Sequence, residues 1–331
     1  RLSATFIAFG ASARKRPFLS APAGENAKNM NSLVLIAVLR STLRQSTPIT
    51  LGALSGLFCE RVGVINIAIE GMMLTAAYMG YMTNVWTGNL ILAVIVAVLS
   101  GGLMALLHAW LSIHFKVDQI ISGTVINILA VGLTGYFYQP GTVTKGKLQS
   151  VAVPVLTDIP IIGDVFFDNG PLTYAAVVLV FAVNIILFRT RWGLRMRAVG
   201  EHPRAADTLG INVFAMRYIN VVIGGMLAGL GGAYLTLEAV GSFERLMTNG
   251  RGFISLAAMI FGKWTPFGGW AAALLFGAAN AVQTQIQFSG DVTIPHQFIG
   301  MLPYVLTVIV LAGFVGRARP PAAIGRPYET E

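Results

Sequence analysis

Residues 90–113, LILAVIVAVLSGGLMALLHAWLSI, run without one Asp, Glu, Lys or Arg. A helix needs about 20 mainly apolar residues to cross the hydrocarbon core of a bilayer, and this stretch supplies them. Residues 119–138, 171–188 and 218–239 read in the same way. The whole chain is 55% hydrophobic and only 11% charged, whereas soluble domains run near a quarter charged. That excludes an ordinary soluble enzyme. The apolar stretches are continuous, where the strands of an outer-membrane barrel would alternate. The expected fold is all-α: a polytopic integral membrane helical bundle of about eight spans at roughly 20 residues each.

Two places interrupt this pattern. LVLIAVLRSTLRQ (33–45) has Arg40 and Arg44 four apart and reads as an amphipathic helix at the membrane surface. Pro48 then introduces the short apolar ITLGALSGLF, closed by Glu60-Arg61. Later, FISLAAMIFG (253–262) is too short to cross alone and ends at Lys263 and WTPFGG. Each short segment precedes a longer one, at 63–82 and at 270–286, and a last span is expected over about 297–315. Paired short or re-entrant segments in two halves of a chain point to a midplane pathway, because irregular backbone persists at membrane depth only where it is buried or lines a cavity.

The formal charge is +9, but a nucleic-acid partner is not expected, since Lys and Arg accumulate in loops retained in the cytoplasm. Arg189, Arg191, Arg195, Arg197, Arg204 and Arg217 fall in one connection, 189–217. With that connection inside, the polar 139–170 loop lies outside, and Lys116 and Glu60-Arg61 lie inside. Cys59 is the single cysteine and His108, His114, His202 and His296 form no ligand pattern, so neither a disulfide nor a metal site is expected. The 1–29 segment reads as a disordered extension or a start-site artefact, 30–316 as the membrane domain and 317–331 as a tail.

Within the expected 63–82 span, Asn66 and Glu70 are four apart and would share a helical face. A carboxyl group in a span costs about 2.5–3.5 kcal/mol on insertion scales and should face the bundle interior or a wet cavity. Asn66, Glu70 and Asn127 are therefore candidates to line a solute path; the alternative is an internal hydrogen bond or ion pair, with Arg61 for example, that fixes helix orientation. Gly225 and Gly229 would let helix backbones approach closely. In the connection, Pro203 can open a short helix and Gly210 can end it. The residues between make under two turns, too short to be stable without a partner. That segment is either a solvated loop helix on the headgroups or one that docks into a cytoplasmic partner.

TRWGLRMRAVGEHPRAADTLGINV (190–213) resembles the coupling loop of ABC import permeases in the ribose, branched-chain amino acid and nucleoside branch. LSGLFCERVGVINIAIEGMMLTAAYMG (54–80) is similar to the signature near the start of its nucleoside and simple-sugar members, and FISLAAMIFGKWTPFGG (253–269) to a third shared block. Lys263-Trp264 stands where many relatives carry a small residue. The resemblance runs from about Ser41 to Val315. It implies a permease subunit in the cytoplasmic membrane, paired with a second permease, powered by a cytoplasmic ABC ATPase and fed by an extracytoplasmic solute-binding protein.

On that resemblance Gly200, Glu201, Pro203, Ala205, Ala206 and Gly210 form the ATPase-coupling segment. The chain itself carries no G-x-x-x-x-G-K-[ST] phosphate loop, since Gly262-Lys263 is followed by Trp264 and position 257 is Ala. No catalytic residue and no cofactor are expected. The solute would be a nucleoside or simple sugar. An ion-coupled secondary transporter using Glu70 is the alternative reading.

Overall fold

In the computed structural model the chain divides into two units, Arg1–Leu35 and Ile36–Glu331. The structure describes residues 23–289 apart from 155, 158, 160 and 161, then 301, 305, 309 and 319–329. Side chains are described from residue 34 onward, apart from 164, 288 and 289. The expected span at 297–315 and most of the 1–29 segment lie outside the described residues. Of the first unit the described part is the beginning of α1 (Ala23–Glu60).

α1 corrects the reading of 33–58 as two pieces, for it runs unbroken through Pro48. Proline removes one backbone N–H and frees the carbonyl four residues earlier. That carbonyl belongs to Arg44, and the Tyr234 hydroxyl donates to it at 2.7 Å. Ser46 and Thr47 donate to the Leu43 carbonyl, and Thr50 to that of Ser46. With these groups satisfied, the helix has no reason to part.

Beyond α1 the order is α2 (Ile69–Thr87), α3 (Leu90–Ala109) and α4 (Gln119–Phe137), then short α5 (Ile162–Phe166), α6 (Pro171–Arg189), α7 (Arg191–Glu201) and α8 (Pro203–Thr208). α9 (Val213–Ala233), α10 (Arg251–Phe261) and α11 (Pro266–Ser289) complete it. α3 and α9 continue as π-helical turns, Trp110–His114 and Tyr234–Val240. Asn89 and Asp118 cap α3 and α4, each accepting from two backbone N–H groups. Among the described residues, the 139–170 connection pairs two short strands, β1 (Val151–Ala152) antiparallel to β2 (Asp168–Asn169).

Four helical segments among the described residues are long and apolar enough to cross a membrane: 90–114, 119–137, 171–189 and 213–240. Ile91, Leu103, Ile128 and Val178 on these segments stay between 64% and 73% exposed, as expected of side chains that face lipid. At the centre, α3 and α9 meet backbone to backbone. A Cβ on Gly225 would lie 2.2 Å from the Ala105 Cβ, and one on Gly229 would lie 2.8 Å from the Ala97 carbonyl oxygen. The opposite face of α9 lies as close to α2, where a Cβ on Gly232 would meet the Met73 carbonyl oxygen at 2.2 Å.

The strand pair is tied to α1. Arg40 donates to the Asp168 carbonyl at 2.9 Å and pairs with its carboxylate. A hydrogen bond from Ser150, with Arg40 beside it, holds the Asp168 carboxyl below the usual carboxylate range. A group depressed in this way contributes stability in full above its unfolded value of about 3.9 and loses it as pH falls through the lower folded value. Acidification through that window is therefore expected to lower the hydrogen-exchange protection factors across β1–β2, relative to intrinsic exchange at each pH. Asp168→Asn should exchange fast at neutral pH and show no such acid step.

Candidate functional site

The two interruptions in the sequence lie together in space. α1 ends in a turn where the Val64 N–H donates to the Cys59 carbonyl, and α10 ends in one where the Trp264 N–H donates to that of Met259. The Trp264 indole donates to the buried Glu60 carboxylate at 2.6 Å. The Arg61 guanidinium donates to the Trp264 carbonyl, through Nε at 3.0 Å. Lys263 and Trp264 both adopt left-handed backbone, with φ of +53° and +52°. Such residues cost on the order of 1–3 kcal/mol each and persist only where the surroundings dictate them. For Trp264, Glu60 and Arg61 do so.

Asn66 and Glu70 do not share a helical face, because α2 begins only at Ile69. Asn66 lies in the bend before it, fully buried, accepting from the Ala68 N–H and donating to the Cys59 sulfur. Asn127 bridges α4 to the same bend, accepting from the Gly71 N–H at 2.7 Å and donating to the Ile67 carbonyl at 3.0 Å. His108 spans the Ile65 carbonyl and the Ser122 hydroxyl. These groups fix the α1–α2 bend against α3 and α4.

Glu70 does something different. Its carboxylate accepts from the Gly250 N–H at 2.8 Å and the Gly252 N–H at 2.6 Å. It therefore caps the start of α10, where unpaired donors and the helix dipole favour an anion. α10 has 11 residues, roughly 16 Å at 1.5 Å per residue, about half of a hydrocarbon core. Arg251, the first residue of α10, lines a cavity of about 650 Å³.

That cavity is lined by Arg44, Gln45, Lys147, Tyr234, Glu238 and Arg251, among others. Four of its borders are irregular or strained backbone: the proline of α1, the π-turn 234–240, the loop at 147–150 and the non-helical 242–247. Glu238 is already committed, accepting from the Leu172 and Thr173 N–H groups and the Thr173 hydroxyl to cap α6. Asn66, Glu70 and Asn127 are not among the lining side chains. Sequence reading missed Arg44, Tyr234 and Arg251. A usable signal was there: Arg44 four residues before Pro48, and Glu238 and Arg251 flanking the stretch before the short segment.

Losing Glu70's charge should loosen the floor of this cavity. A Gln side chain has one acceptor oxygen for two backbone donors, and an orphaned buried donor costs about 1–3 kcal/mol. Glu70→Gln is expected to increase protease access to 241–250 while the protein still inserts. Unchanged proteolysis would show that the Glu70 cap does not hold the start of α10.

At the other end of α9 lies the arginine-rich connection. α7 and α8 fill most of it, with Pro203 in the first turn of α8 and Gly210 left-handed at φ +78° after it. Arg217 is not part of the exposed cluster; it lies in α9 and is 2% exposed. Ala206 is also 2% exposed and faces the body of the protein, whereas Glu201, Ala205 and Gly210 are exposed and Leu209 is 80% exposed. Gly200 sits against the bend, where a Cβ would lie 2.3 Å from the Arg61 carbonyl oxygen. Among the described residues no cluster of His, Cys, Asp or Glu could hold a metal.

Comparison with known proteins places this arrangement. Residues 38–311 match the family described as the branched-chain amino acid transport system permease component. A guanosine ABC transporter permease of Bacillus subtilis is 40% identical over 314 residues, 89% of this chain and 97% of its own length. A nucleoside ABC transporter permease of Lactococcus lactis is also 40% identical, over 90% of this chain and 98% of its own. A putative glucose ABC transporter permease of Haloferax volcanii is 34% identical over 89% of this chain. No solved structure matches. With the family match spanning most of the sequence and apolar helices able to cross a bilayer, the chain belongs to this permease family and is a multi-pass membrane subunit of an ABC transporter.

Proposed function

We propose that the protein is the translocating subunit of an ATP-driven nucleoside importer in the cytoplasmic membrane. The observation that carries this reading is the 40% identity, over nearly full length, to permeases named for guanosine and for nucleosides. The cavity suits such a solute. Its volume lies within the usual range for small-molecule sites, and Gln45, Gln149 and Ser150 offer hydrogen-bonding groups to ribose hydroxyls and base edges. Asn66 and Asn127 serve it indirectly, holding the bend from which α2 and Glu70 start.

ATP is hydrolysed on a separate cytoplasmic subunit. α8 and its flanks, Gly200 to Gly210, form the docking segment, with Ala206 seated inward and Leu209 outward. A second permease subunit, identical or similar, completes the channel, and an extracytoplasmic binding protein delivers solute. Closure of the ATPase pair can drive the bundle only by favouring one of two states.

The test is uptake into vesicles that hold the purified permease with its ATPase subunits and binding protein. ATP-dependent accumulation of guanosine, competed by other nucleosides and not by glucose or leucine, is the expected result. Leu209→Asp should release the ATPase subunits while leaving the permease in the membrane. Uptake that survives ATP depletion and collapses with an uncoupler would favour an ion-coupled carrier instead. Uptake of glucose in preference to guanosine would overturn the solute class.

A further inference from the structure

α8 has six residues, far fewer than an isolated helix needs to be stable in water. The stabilising partner is present in the same chain. The strap formed by residues 319–329 lies against the arginine-rich end, with Ala323 and Tyr328 buried. The Tyr328 hydroxyl donates to the Asp207 carboxylate of α8 at 2.7 Å, and its ring meets Phe214 of α9 edge-on at 5.4 Å. The Ala323 N–H donates to the Gly200 carbonyl at 2.9 Å, and the Gly325 N–H to the Gly63 carbonyl at 3.0 Å.

Arg217 fastens the centre. Its guanidinium donates to the Val62 carbonyl at 3.2 Å and to the Arg326 carbonyl at 3.0 Å, so one buried cation holds both the α1–α2 bend and the strap. At the rim, Lys116 pairs with Glu329 at 2.6 Å; both are exposed, and such pairs contribute little. The strap therefore touches α8 on one side and the bend at 62–65 on the other. That bend is the same one that Asn66, Asn127 and His108 fix, and from which Glu70 reaches α10.

We propose that the 319–329 strap is the linkage through which displacement of α8 reaches the α1–α2 bend, with Tyr328 and Arg217 as positioning residues for energy coupling. This rests on the reading of the chain as an ATP-driven permease. Coupling between distant sites needs a packed element that both can bias, and the strap is bonded at both ends.

Tyr328→Phe and a chain ending after Arg319 would each be purified with the ATPase subunits. Both would be reconstituted into phosphatidylethanolamine–phosphatidylglycerol vesicles with binding protein and guanosine. Tyr328→Phe, which keeps the ring against Phe214, is expected to retain the ATPase subunits and hydrolyse ATP; the shortened chain, having lost the partner of α8, is expected to retain less of them. In both, guanosine imported per ATP hydrolysed falls at least about fivefold, the lower end of usual coupling effects. An unchanged ratio in both variants would overturn the proposal. So would a parallel fall in ATPase retention, hydrolysis and uptake at constant ratio, which would make the strap a buttress only. If the shortened chain is not recovered, Tyr328→Phe decides. Failure of the wild-type permease to retain ATPase subunits would instead overturn the importer reading itself.

Discussion

Gly225→Leu is expected to yield no folded protein. Even the first atom of a side chain has no place there, since a Cβ would lie 2.2 Å from the Ala105 Cβ and 2.6 Å from the Gly101 carbonyl oxygen. Both neighbours belong to a helix packed along its length, so neither can swing aside as a flexible side chain would. Gly101 makes the converse demand, because a Cβ on it would meet the Gly225 carbonyl oxygen at 2.5 Å. Overpacking a tight interior costs about 1–3 kcal/mol, and more where backbone must move. Gly225→Ala should therefore lower stability by about 3 kcal/mol at least, read as a fall in the thermal unfolding midpoint in detergent. Gly132 of α4 provides the contrast, having nothing within 4 Å of its Cβ position. Gly132→Ala should be neutral or stabilise by about 0.5–1 kcal/mol through helix propensity alone. Equal melting of the two alanine variants would show that the α3–α9 contact is not as close as described.

Trp264→Ala is expected to be nearly as damaging, for two reasons that can be separated. Removing a buried tryptophan side chain costs about 3–5 kcal/mol in lost contacts and cavity. It also strips the Glu60 carboxylate, 5% exposed, of its indole donor. Trp264→Phe keeps most of the ring and removes the donor alone, for an expected loss of about 1–3 kcal/mol. Glu60→Gln in the Trp264→Phe background should recover part of that loss, since a neutral amide is less costly to bury than an unpaired charge. Equal stability of wild type and Trp264→Phe would show that the Glu60 contact contributes nothing. Both variants should loosen the junction of α1 and α10, the place where the two interrupted segments meet.

Much of the membrane architecture is legible from apolar run length alone, because a bilayer imposes one dimension on every helix that crosses it. Residues 90–113, 119–138, 171–188 and 218–239 become α3, α4, α6 and α9 within a few positions. The punctuation of the 203–210 segment is legible too, since Pro203 and Gly210 act through their own backbone restrictions. Pro48 shows the limit. Its local rule says break, and a hydroxyl from residue 234 reverses the outcome, which no window of neighbouring residues can reveal. Asn66 fails for a related reason: periodicity assigns it to α2, yet the left-handed Gly63 and the buried tie to Cys59 delay the helix to Ile69. Arg217 looks like one more loop arginine until the strap, over a hundred residues later, supplies its acceptor. The cavity-lining Arg44, Tyr234 and Arg251 come from three distant stretches and meet only in the fold.

The glycine seam between α3 and α9 has a consequence for how the molecule can move. Where main chain meets main chain, as at Gly101, Gly225 and Gly229, there is little room for one helix to slip along the other. The pair must therefore travel as one solid block during any working cycle. Deformation is left to the segments whose ladders are already irregular: the prolyl turn of α1, the π-turn at 234–240 and the left-handed residues at 246, 249, 263 and 264.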